Sequence, residues 1–92
     1  MTRERLEELL KPLADAYPGR TMTATTRMMM VFGRFIIVAW NPIEQEFYLT
    51  IDTNRYYLED QIELLEDLRI AHSVASVLTA VALKEHWYDS RR

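Results

Sequence analysis

Hydrophobic positions change their period twice along the chain. Over residues 2–17, Leu6, Leu9, Leu10 and Leu13 recur at helical spacing, and Thr2 stands where a cap belongs. The pattern predicts an amphipathic helix ending at Tyr17-Pro18-Gly19. Pro12 falls inside it, where a proline costs roughly 3 kcal/mol in a regular helix, so a kink or early fraying is expected there. From residue 21 to 51 the period shortens to two. Threonines alternate with Met22 and Ala24, and Met28-Met29-Met30-Val31-Phe32 follows. Gly33-Arg34 offers a turn. Phe35-Ile36-Ile37-Val38-Ala39-Trp40 reads as a strand buried on both faces. Asn41-Pro42 opens a second turn, because proline presets the angle its position needs. Phe47, Leu49 and Ile51 then alternate with Tyr48, Thr50 and Asp52, as a half-buried strand does. These segments predict a three-stranded antiparallel meander.

Asp52-Thr53-Asn54 is a cluster of helix-capping residues, and neither glycine nor proline follows it. The rest reads as helix, with an internal conflict. At about 100° per residue, Leu58, Ile62, Leu64, Leu65 and Leu68 fall on one broad side of residues 56–68, and Glu59, Asp60, Glu63, Glu66 and Asp67 on the other. In 70–83 the large residues Ile70, Val74, Val77, Leu78 and Val81 occupy the side that was acidic one turn earlier, facing away from the small Ala75, Ser76, Thr79 and Ala80. One straight helix on one sheet does not bury both stripes. Either the helix breaks near 68–71, or a second surface, helix 1 or another protomer, covers its second half. The expected fold class is α+β, with 1–92 as a single domain. It comprises an N-terminal helix, the three-stranded meander and one long or broken C-terminal helical region.

Charge sharpens this picture. The net charge of −3 is unevenly spread: residues 44–67 hold eight acids against one base, whereas the flanking segments are each mildly basic. A surface of that sign does not neutralise phosphates, so direct nucleic-acid binding is not expected. Absence of cysteine excludes disulfides and thiolate chemistry and fits a reducing compartment. Residues 70–83 are too short and, with His72, Ser73, Ser76 and Thr79, too polar to span a bilayer. The charged N-terminus is no signal region. A cytoplasmic protein without membrane contact is expected.

The candidate chemistry is that of recognition. Glu59, Glu63 and Glu66 share one helical stripe, widened by Asp60 and Asp67, with Arg55 as the local counter-charge. Tyr48, Tyr56 and Tyr57 lie nearby, and tyrosine is a common interface anchor. These residues are the predicted partner-binding set, for a larger protein with a basic surface. Ile70, Val74, Val77 and Val81 are the predicted self-association set. Trp87, with one or two of the tyrosines, Tyr88 among them, is expected to help finish the core, and Met28, Met29 and Met30 to fill it. His72 and His86, 14 residues apart, have no metal-ligand spacing on one turn, and His72 is expected to be packed. The acids lack the glycine and alternating oxygens of a calcium loop. Ser73, Ser76 and Ser90 sit in no nucleophile motif, and neither glycine belongs to a phosphate loop. Arg20, Arg27 and Arg34 recur every seven residues, which alternates strand faces and forms no basic stripe. No enzyme, metal or cofactor is expected.

No motif identifies a family. The α-β-β-β-α order resembles the double-stranded-RNA-binding fold in topology, but the helix that would be lysine-rich there is acidic here. Class I secretion chaperones are similar in opening with a helix and a three-stranded meander and in being small acidic dimers, although they carry further strands. Small acidic phage proteins that disarm host defences, anti-CRISPR proteins among them, are similar in size and charge. The leading expectation is a non-catalytic binding protein whose acidic helix face docks on a larger partner, in the manner of a phage-type inhibitor of a nucleic-acid-handling defence complex. The alternative is a homodimeric chaperone or assembly subunit of the secretion-chaperone type.

Overall fold

The structure, a computed structural model, describes residues 2–85. Helix α1 spans Arg3–Ala16, and the Thr2 hydroxyl accepts the Arg5 N–H at 3.2 Å. The helix runs on past Pro12 to Ala16, so the expected early fraying does not occur. Pro12 lies exposed on the outer side while Leu6 and Leu10 are buried on the inner one, and that burial outweighs one missing backbone bond.

The sheet has four antiparallel strands in sequential order, not three: β1 (Thr23–Ala24), β2 (Met29–Phe32), β3 (Ile36–Asn41) and β4 (Glu46–Ile51). The extra strand arises because the chain reverses between Thr25 and Met29. Thr25 Oγ1 accepts the N–H of Arg27 at 3.2 Å, and Met28 adopts a left-handed φ of 58°. A threonine-rich run that alternates like one strand is thus folded into a hairpin. The second and third connections fall at Gly33-Arg34 and at 41–46. In the latter, Asn41 Oδ1 caps the turn by accepting from Ile43 N–H at 2.8 Å.

Both helices cover one face of the sheet, α1 over β1 and α2 over β3 and β4. The register brings Met30 opposite Val38 opposite Leu49, and Phe32 opposite Ile36 opposite Ile51, on that face. These residues meet Leu6 and Leu10 of α1 and Ile70, Ala71, Val74 and Leu78 of α2 in one core. The alternate positions Met29, Val31, Ile37 and Ala39 are only half-buried. The strand expected to be buried on both faces is therefore buried on one. Of the methionines, Met30 fills the core completely, while Met28 belongs to the turn.

Two short 3-10 turns, Thr53–Arg55 and Leu58–Asp60, lead into helix α2 (Gln61–Glu85). The helix does not break at 68–71. Its buried seam is Leu64, Asp67, Ala71, Val74, Leu78 and Ala82, spaced by three or four residues throughout, with Ile70 beside it. The seam stays continuous because an aspartate occupies one of its positions. The apolar residues left over, Leu58, Ile62 and Leu65, stand in solvent. No helix among the described residues is long and apolar enough to cross a membrane.

Candidate functional site

The end of the molecule where α2 begins gathers most of the charged chemistry. Asp67 is fully buried, the one buried carboxylate among the described residues. It lies over Gly33, whose missing side chain leaves room for it: a Cβ there would sit 2.6 Å from Asp67 Oδ2. The Tyr56 hydroxyl donates to Oδ2 at 3.1 Å, and the Arg20 guanidinium pairs through Nε with Oδ1. Arg20 also reaches Glu66 at 3.1 Å. One buried carboxylate is thus matched by a buried phenol and a nearly buried guanidinium, the condition under which a charge is tolerated in a core. Phe35 closes the cluster edge-on against Tyr56, with Arg55 stacked 5.3 Å from its ring centre.

Arg34, from the same turn as Gly33, extends the pairing outward to Asp60 at 2.8 Å and Glu63 at 3.5 Å. Arg20 and Arg34 converge here because both belong to connections at one end of the sheet, where strand-face parity does not apply. Only Arg27, exposed in the β1–β2 turn, stays apart. Four of the five acids assigned to a docking face thus have an arginine partner from the sheet. Asp67 is corrected outright, since a buried seam position presents nothing to a partner, and Tyr56 is corrected with it. Glu59 is exposed, and Glu66 is half exposed at the rim. Exposed pairs of this kind each contribute at most about 1 kcal/mol, so the buried group dominates.

Burial, and next the hydrogen bond to Asp67, hold the Tyr56 phenol above its ordinary pKa near 10. The folded state therefore binds this proton more tightly than the unfolded chain. The resulting stability is complete below pH ~10 and is lost as pH rises from there through the raised value. Tyr56→Phe is expected to cost about 1–2 kcal/mol at neutral pH, since it strands a carboxylate oxygen. The deficit against wild type should shrink in urea titrations carried above pH 10.

Tyr48 does point away from the core, as expected, but its hydroxyl is engaged by Glu44 and, at 3.1 Å, by Asn41. The Glu44 carboxyl is held below its ordinary range by the Tyr48 hydroxyl, and Glu46 is pushed up by its hydrogen bond with Glu44. Ile70 and Val74, assigned to self-association, are core residues, because α2 turns that side to the sheet. Val77 is exposed and Val81 half-buried. His72 is exposed and not packed. It borders a groove of about 470 Å³ between α2 and β4, lined also by Phe47, Leu49, Ser76, Thr79 and Ala80. His86, Trp87, Tyr88 and Ser90 lie outside the described residues.

Comparison with protein-family models, with curated proteins and with solved structures finds no match. The surface must therefore be read on its own chemistry. Its largest departure from an ordinary surface is one that helical periodicity alone placed inside. Leu58 is 90% exposed, Ile62 75%, Tyr57 68% and Leu65 66%. Ile62 and Leu65 lie three apart on one face of α2, and Leu58 stands just before them in the 3-10 turn that leads into the helix, with Glu59 and Glu66 alongside. The signal that could have found this line was the aspartate: a seam that must include Asp67 turns these residues outward. Among the described residues no group of three metal-ligating side chains converges.

Proposed function

We propose that the protein is a non-catalytic binding protein that presents the start of α2 to a larger partner. The observation that carries this reading is the solvent-exposed line of Leu58, Ile62 and Leu65, extended by Tyr57. Apolar anchors at this spacing are how a helix face enters a groove on another protein. The rim sets the partner's charge. Glu59, Glu63 and Glu66 border the line and favour a groove edged by lysine or arginine. The partner-binding set thus becomes Tyr57, Leu58, Ile62 and Leu65 at the centre, with Glu59, Glu63 and Glu66 at the edge. A basic surface that ordinarily holds nucleic acid suits such a rim, and occupying it makes the protein a competitive inhibitor.

Affinity capture from a lysate of the source cell tests this reading at two salt concentrations. A Leu58→Glu, Ile62→Glu, Leu65→Glu variant is expected to keep the wild-type unfolding midpoint, because the residues contribute little to the core, and to lose the captured partner. A Glu59→Lys, Glu66→Lys variant should bind more weakly at low salt and differ less at high salt. Unchanged capture by the triple variant would remove the stripe from consideration.

A further inference from the structure

We infer that the chain forms a two-fold symmetric homodimer in which β4 pairs with β4 of a second copy and the two α2 helices pack side by side. β4 is the last strand of the sheet, and among the described residues no strand pairs with its outer edge. Asp52 N–H donates to Phe35 C=O. That bond fixes the phase of the β3–β4 ladder: residues 46, 48, 50 and 52 bond to β3, and the N–H and C=O groups of Phe47, Leu49 and Ile51 point off the edge. An unprotected edge of this kind templates another strand.

The chemistry of the edge favours an identical partner. A two-fold axis sets a residue against its own copy, so charge near the axis would repel itself. In a chain with 27% charged residues, the groove beside β4 is lined by eight residues that include no aspartate, glutamate, lysine or arginine. Antiparallel partners share a sheet face, so the register must be centred on a residue. Centring on Leu49 would set Glu46 against the other copy's Asp52. Centring on Tyr48 sets Glu46 against Thr50 and Phe47 against Leu49, forms four backbone bonds, and leaves the two Tyr48 side chains as a non-hydrogen-bonded cross-strand pair.

The helices supply a second condition. α2 lies over β3 and β4. With strands ~4.8 Å apart, an axis half a spacing beyond β4 places the two α2 helices roughly 10 Å from each other, within the usual helix packing distance. Of the residues α2 turns toward the groove, the central Ala75, Ser76, Thr79 and Ala80 are small enough for that approach, with the larger His72 and Leu83 a turn to either side. An extended peptide would satisfy the strand and leave the helix face uncovered, whereas a second copy satisfies both. The footprint is roughly 20 by 20 Å, about half the ~800 Å² a standard interface takes from each partner, so the dimer is weak and concentration-dependent.

Sedimentation equilibrium from low to several hundred micromolar, on the full chain, should show a rise from 10.9 kDa toward twice that mass. Because the chain has no cysteine, single cysteines report the register. Tyr48→Cys should cross-link on mild oxidation, since its Cα would stand ~4.5 Å from its copy. Thr50→Cys, ~13 Å from its copy, and Leu58→Cys should not. Ser76→Glu, an exposed position near the axis, should raise the dimer dissociation constant more than ~10-fold, with an unchanged unfolding midpoint. A monomer mass throughout would overturn the inference. So would a dimer in which Tyr48→Cys cross-links no faster than Thr50→Cys, or one that Ser76→Glu leaves intact. The exposed Ile62 and Leu65 lie on the same side of α2 as Ser76 but at least ~16 Å along the helix from it, so the Ser76→Glu result and the loss of capture in the Leu58→Glu, Ile62→Glu, Leu65→Glu variant are read separately.

Discussion

Asp67→Ala is expected to lose about 3–5 kcal/mol of unfolding free energy, the usual consequence of removing one partner from a buried ion pair. A domain of 92 residues has a total of roughly 5–14 kcal/mol, so the variant should lose a large share of its stability and unfold at a clearly lower urea concentration than wild type. The loss has two sources. The Arg20 side chain, only 17% exposed, is left without its buried counter-charge, and Tyr56 loses its acceptor. Little of it is lost contact area. Arg20→Leu alone should be comparably harmful, because it leaves Asp67 charged and fully buried. The combination Arg20→Leu, Asp67→Leu should recover most of the loss or exceed wild type, since an apolar pair of similar volume needs no desolvation. Urea unfolding of the four proteins at pH 7 checks this. Equal losses that simply add would show that the two residues act separately.

The same aspartate explains how far the fold was legible in the sequence. β3 was readable from its run of β-branched and aromatic residues, though not the single face it buries, and β4 from the local alternation of Phe47, Leu49 and Ile51. The Gly33-Arg34 and Asn41-Pro42 turns were readable from turn chemistry. The β1–β2 hairpin was not, because the Thr25 hydroxyl that makes the turn belongs to a threonine repeat that alternates like a continuous strand. α2 was misread for a different reason. Sorting a helix by side-chain chemistry puts Asp67 outside and Ile62 and Leu65 inside, and reconciling the two halves then takes a break or a second covering surface. What reverses the sorting is non-local. Arg20, Gly33 and Tyr56 approach Asp67 from three separate connections, and nothing near Asp67 in the chain announces them. The charge of residues 44–67 was read correctly as a count, but its partial neutralisation was hidden, since Arg20 and Arg34 sit far from these acids in sequence and against four of them in space.

Gly33→Val should be nearly as damaging as loss of the aspartate, at about 3–4 kcal/mol, although residue 33 makes no side-chain contact of its own. Two costs combine. Gly33 has φ +63°, a left-handed conformation that costs an L-residue roughly 1–2 kcal/mol, with β-branched side chains at the upper end. Any Cβ would also stand 2.6 Å from Asp67 Oδ2 and 3.0 Å from its Cγ. The carboxylate has nowhere to retreat, because Tyr56 and Arg20 hold it from the other sides, so the new atom must disturb a buried charge pair. Gly33→Ala separates the two costs. In the wild-type background it should lose about 2–3 kcal/mol, and in an Asp67→Ala background only the backbone part, roughly 1 kcal/mol, because the atoms the Cβ would meet are gone. A coupling of 1 kcal/mol or more in that double-mutant cycle would mean that the glycine is required for the room it leaves to Asp67. If instead Gly33→Ala loses the same amount in both backgrounds, the requirement lies in the turn's backbone alone, and the carboxylate has more freedom to move than its surroundings imply.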